Sequence, residues 1–134
     1  MKRIISSVLI FLVIIITACP IKATELRYVN ADILSVTMSI DSSGVASVMV
    51  KMTGNTSSAQ VSVSTYIEKK IGVAWTRVDI GTTNDVWVCN TTNASLMKTY
   101  TARLVGTGEY RAVAEFILIG STVEEVIKIS EVTY

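Results

Sequence analysis

The sequence predicts an all-β chain, folded as an antiparallel sandwich of seven to eight strands behind an N-terminal signal segment. Three observations predict it. Apolar and polar residues alternate with a period of two along most of the chain, the spacing of a strand with one buried face. Turn signals recur about every ten residues, as in small sandwiches. No stretch after the leader carries helical periodicity, and Ser, Thr and Val dominate; the β-branched members of that set favour strands.

The leader comes first. Lys2 and Arg3 form a basic start, and residues 4–16 are apolar apart from Ser6 and Ser7. That run is shorter than the ~20 residues a membrane-spanning helix needs, and its layout is that of a secretory signal, with an uncleaved anchor as the alternative. Two processing readings compete. Ile21-Lys22-Ala23 forms an ordinary cleavage site with Ala23 last, and Pro20 ends the apolar helix just before it. The tetrad Ile16-Thr17-Ala18-Cys19 resembles a bacterial lipobox, which implies a lipid on Cys19. We read residues 1–23 as the signal peptide and residues 24–134 as one domain, secreted, with lipid anchoring on the outer face of the cytoplasmic membrane as the alternative.

The domain so defined has 111 residues, enough to bury about two thirds of the surface of its unfolded chain. The whole sequence carries 12 basic and 11 acidic residues. Without Lys2, Arg3 and Lys22, nine basic residues face the 11 acidic ones, a net charge of −2. No basic stripe serves nucleic acid, and membrane contact is expected only through the signal segment or a lipid on Cys19. Cys89 is then the single thiol, read as a buried small apolar residue; retention of an unlipidated Cys19 would permit a Cys19–Cys89 bridge.

The strands follow in order. Leu34, Val36, Met38 and Ile40 alternate with Ser35, Thr37 and Ser39, and Asp41 to Gly44 form a hairpin turn. Ala46, Val48, Val50 and Met52 continue the pattern. After Gly54 to Ser58 it resumes with Val61, Val63, Thr65 and Ile67 on one face and Ser62, Ser64, Tyr66 and Glu68 on the other. A turn at residues 70–72 leads to a strand over residues 73–80; residues 81–85 and 90–95 read as loops flanking a short strand. Residues 96–105 alternate again. The next strand, 110–119, is apolar on both faces apart from Arg111 and Glu115, which predicts a central strand covered on each side. Residues 123–132 close the domain.

The stretch "GTGEYRAVA" sets Tyr110 at a strand start after glycines, with Ala112 two residues on. This resembles the tyrosine corner of immunoglobulin-like domains, with Ala112 where antibody domains carry a cysteine and Trp75 upstream. The chain resembles small secreted immunoglobulin-like or fibronectin-type-III-like proteins of Gram-positive bacteria. The resemblance implies an antiparallel immunoglobulin-like β-sandwich without its disulfide.

Chemistry is thinly represented. The sequence has no histidine, which removes the commonest general base and metal ligand and every Ser–His–Asp or Cys–His arrangement. Asp79, Asp85, Glu109 and Glu115 show no paired spacing for carboxylate catalysis. Asp79 and Asp85 flank a loop, where turn formation accounts for them without calcium. A non-enzymatic module with no cofactor and no metal is expected. Asn55, Asn90 and Asn93 begin N-glycosylation patterns and mark surface loops. The binding candidates are aromatic: Tyr66, on the polar face of its strand and expected exposed; Trp75, sharing a face with Arg77; and Trp87, with Tyr100 nearby. Packing is the expected role of the tryptophans. Three functions remain open: contact with an extracellular protein through loops or a strand edge, carbohydrate binding through Tyr66, Trp75 and Trp87, and self-assembly as a pilus-like subunit.

Overall fold

Among the described residues, eight strands form two antiparallel sheets packed face to face: an immunoglobulin-like β-sandwich. The computed structural model describes residues 28–55 and 60–134. The signal segment, Cys19 with its lipobox, and the Thr56-Ser57 part of the first glycosylation pattern lie outside the described residues.

The first sheet has the order β1-β2-β6, with β1 at Ala31–Ile40, β2 at Val45–Gly54 and β6 at Ser95–Arg103. The second has the order β4-β3-β7-β8, with β3 at Gln60–Ile71, β4 at Ala74–Arg77, β7 at Glu109–Ile119 and β8 at Val123–Thr133. The remaining strand, β5 at Trp87–Thr91, also pairs with β3. So β4 and β5 share one edge of β3: β4 pairs with Glu68–Ile71 and β5 with Val61–Thr65.

The alternation decides which side chains meet. Val48, Val50 and Met52 face Val61, Val63, Ile67, Phe116 and Leu118 in one buried cluster. Burying a large aliphatic or aromatic side chain of this kind contributes roughly 1.5–3 kcal/mol. The β1–β2 hairpin is fixed by Asp41, whose carboxylate accepts from the Ser43 N–H at 2.9 Å, the Ser43 hydroxyl at 2.7 Å and the Val45 N–H at 3.0 Å. These donors lower the Asp41 pKa from its ordinary value. Gly44 completes the turn at φ 80°, and a Cβ there would lie 3.1 Å from the Tyr134 hydroxyl.

Tyr110 is 1% exposed and forms the predicted corner. Its hydroxyl lies 2.7 Å from the Gly106 carbonyl oxygen and 2.9 Å from that of Val105. Ala112, in the position of the absent cysteine, is fully buried.

Four sequence expectations need correction. The strand expected over 73–80 ends at Arg77, because the chain leaves β3 there and returns as β5; Asp79 and Asp85 bond the N–H groups of Gly81 and Ile80 in the intervening loop. The loop expected over 90–95 is shorter, since β5 runs to Thr91 and β6 starts at Ser95. Cys89 is half-buried, not buried, because β5 is an edge strand. Strand β7 is central, between β3 and β8, but its outer face is open at Ile117 and Ile119. Two-sided apolarity signals two-sided cover only where a third layer exists, and the described residues form two.

Candidate functional site

The outer face of the β4-β3-β7-β8 sheet gathers the aromatic, charged and apolar residues that the core does not use. Strand register lays them in rows. Arg77, Glu68, Arg111 and Glu131 lie side by side across four strands; beyond them Trp75 pairs with Lys70 and Glu109 with Thr133, the two pairs joined by the Lys70–Glu109 ion pair. The following rows contain Tyr66, Val113 and Ile129, then Ser64, Glu115 and Ile127, then Ser62, Ile117 and Glu125, then Gln60, Ile119 and Val123.

One half of this face is internally neutralised. The Arg111 guanidinium bonds the Glu68 carboxylate at 2.6 Å and lies 4.4 Å from the Trp75 ring centre. Lys70 pairs with Glu109 at 2.5 Å, which raises the lysine's pKa. Arg77 covers the Tyr66 ring at 3.5 Å, and the Tyr66 hydroxyl donates to Glu115 at 2.7 Å. Burial, followed by the Glu115 hydrogen bond, pushes the Tyr66 pKa up. Each cation here is matched by a carboxylate or an aromatic face, a mutually satisfied lattice.

The other half is apolar and open. Ile117, Ile119, Val123, Ile127 and Ile129 are all exposed, Ile127 at 61%. They occupy neighbouring positions on β7 and β8, all on the outer face by register. Isolated exposed aliphatic residues are ordinary on protein surfaces; these five are clustered, with Glu115 and Glu125 between them.

Strand β8 is also the last strand of its sheet. Its inner-face residues include Glu124 and Lys128, by register with Leu118 and Ala114. Glu124 accepts from the N–H groups of Val29 and Asn30 at 3.1 and 3.2 Å, and Lys128 lies 5.0 Å from the Tyr28 ring centre. A strand added to this edge would enclose both charges, and inward charges of this kind are how sandwiches resist edge-to-edge pairing.

The three aromatic candidates do not share a surface. Tyr66, expected exposed, is buried at 9%, because Arg77 lies over its ring and Glu115 holds its hydroxyl. Trp87 is half-buried on the inner face, opposite Thr65, and stacks on Tyr100 of the other sheet with centroids 4.8 Å apart and planes 4° from parallel. It closes the sandwich edge. Trp75 is half-exposed on the outer face beside Arg111, next to a cavity of about 110 Å³ lined by Glu109, Tyr110 and Glu131 among others. Asn90 and Asn93 are exposed, and Asn55 donates through its side chain to the Val29 carbonyl.

Sequence reasoning missed the apolar strip. A signal was present: Val123, Ile127 and Ile129 have the opposite parity to Val126 and Val132 within β8, so both faces of the last strand carry aliphatic residues. Among the described residues, no helix is long and apolar enough to cross a membrane, and no group of three or more His, Cys, Asp or Glu residues is placed to hold a metal ion.

No family model matches the sequence, and no curated protein matches it. A solved structure similar to this chain is the crystal structure of the CARDB domain of the PF1109 protein from Pyrococcus furiosus, in complex with di-metal ions. It is 15% identical, with 84% of this chain and 95% of that chain covered and a TM-score of 0.48.

Proposed function

We propose that this domain is a non-enzymatic interaction module, secreted or held at the cell surface, that docks a protein partner on the outer face of β7 and β8. The observation that carries this reading is the exposed strip of Ile117, Ile119, Val123, Ile127 and Ile129. Strands hold these side chains in a fixed, shallow array, so docking costs little ordering. The non-enzymatic part rests on the absence of histidine and on the lattice across the sheet, where the charged groups that register brings together are engaged with one another. Export rests on the basic-then-apolar leader of residues 1–16.

The test is site-specific photocrosslinking in a secreting bacterial host. A benzophenone side chain placed at Ile127 should give a discrete adduct that mass spectrometry identifies. The same group at Val73, fully exposed in the β3–β4 turn, should give none. Equal, diffuse labelling at both positions would refute the docking face.

A further inference from the structure

The two outer faces of the sandwich are complementary to each other. The β1-β2-β6 sheet presents mainly Ser and Thr outward, but Ile33, Met49 and Met97 are exposed there, Met97 at 66%. Lys51 sits among them. Its cross-strand partners are Ser35 and Met97, and register makes Ile33, Thr37, Ser95 and Thr99 its diagonal neighbours. None of these is acidic. The outward register positions of β2 and β6 hold two cations, Lys51 and Arg103, while Lys98 has the inner parity of Val50; Asp32, at the bulge of β1, is the one carboxylate of the three strands.

The β7–β8 face has the opposite polarity. Glu125 has Ile117 as cross-strand partner and Glu115 and Ile119 as diagonal neighbours, with no cation among them. On the outer face these two strands place four carboxylates, Glu109, Glu115, Glu125 and Glu131, against Arg111, with Glu109 and Glu115 already engaged by Lys70 and Tyr66. One face is thus an unpaired lysine among exposed aliphatic and thioether side chains, and the other an unpaired glutamate among exposed isoleucines.

We propose that the partner docked on the β7–β8 face is a second copy of this chain, which presents its β1-β2-β6 face. This rests on the reading of the β7–β8 face as a docking surface and names its occupant. Stacked sheets pack about 10 Å apart, so the proposal sets the exposed isoleucines of one copy against Met49 and Met97 of the next, with Glu125 directed to Lys51. The contact joins two different patches, so it is heterologous: each copy keeps one free face of each kind, and assembly continues into open chains unless the rotation closes a ring. Opposite charges set the pairing and disfavour each face against itself.

The experiment uses the full chain, expressed with its own N-terminal segment and purified as the host processes it. Sedimentation velocity should show a weight-average coefficient that rises with protein concentration between about 10 μM and 1 mM, the range of a modest apolar interface. Ile127→Asp and Met97→Asp should each sediment as monomers, and their equimolar mixture should form a dimer and nothing larger, since each supplies the face the other lacks. Lys51→Glu and Glu125→Lys should each weaken association about tenfold, and the double variant should recover it. All four positions are exposed, and unchanged circular dichroism and melting would show that folding is intact. A wild type that stays monomeric at every concentration would overturn the proposal while leaving the docking face open to another protein. Self-association that survives in Met97→Asp but not in Ile127→Asp would also overturn it, in favour of a symmetric contact of β7–β8 faces.

Discussion

Thr65→Val should stabilise this protein. Thr65 lies in β3 on the inner face, fully buried, with Ala114 and Trp87 as its cross-strand partners. Its hydroxyl finds no hydrogen-bond partner among the described residues. A buried hydroxyl without a partner costs about 1–3 kcal/mol, and valine replaces it with a methyl group of similar size and the same β-branched preference. A desolvation cost at the low end of that range gives a gain of about 1–2 kcal/mol. For a domain of about 100 residues, each kcal/mol moves the melting temperature by roughly 4 °C. The assay is paired thermal and urea denaturation, with an unchanged m-value as the sign that the gain is in folding free energy. Destabilisation by Thr65→Val would refute the reasoning, because it would mean that the hydroxyl is satisfied within the core.

Tyr110→Phe should lower stability by about 1 kcal/mol through loss of the corner hydrogen bond, whereas Tyr110→Ala should cost about 3–5 kcal/mol by opening a core cavity; urea titration separates the two. A double-mutant cycle of Trp87→Leu and Tyr100→Leu should return a coupling of about 1 kcal/mol for the stacked pair, and additive losses would argue that the rings merely fill space. Tyr66 has a pKa raised in the folded state by burial and by Glu115, so the folded chain holds its phenolic proton more tightly than the unfolded one. The contribution is complete below the ordinary tyrosine value of 10.0 and is lost as pH rises through the folded value; Tyr66→Phe should therefore flatten part of the alkaline fall in stability. Asp41 has the opposite sign. Its lowered pKa contributes above the ordinary value of 3.8 and is lost as pH falls through the folded value, so Asp41→Asn should flatten the acid limb of the same stability profile.

Period-two alternation made the architecture legible because each strand buries one face: β1, β2 and the inner half of β3 follow directly from Leu34, Val48 and Val63 with their neighbours. Tyr110 was legible for a different reason, as its corner depends on glycines and a carbonyl within five residues of it. What the sequence hid depends on contacts between distant strands. Tyr66 has the parity of an exposed residue, yet it is buried by Arg77 from β4 and Glu115 from β7, and neither can be placed beside it without the register. The division of one edge between β4 and β5 was equally hidden, because nothing local to Val78 shows that the chain returns to the same strand. The open apolar strip was visible as two-sided apolarity in β7 and β8, but its meaning depended on whether a third layer covered it.

The central claim is that the outer face of β7 and β8 is uncovered in the single chain. Hydroxyl-radical footprinting of the full chain at high dilution tests it most directly. Ile127 and Ile129 should oxidise at rates near that of Val73, while Ile67, fully buried in the core, stays protected. Protection of Ile127 and Ile129 as strong as that of Ile67 would contradict the account, since it would mean that the chain already covers this face itself.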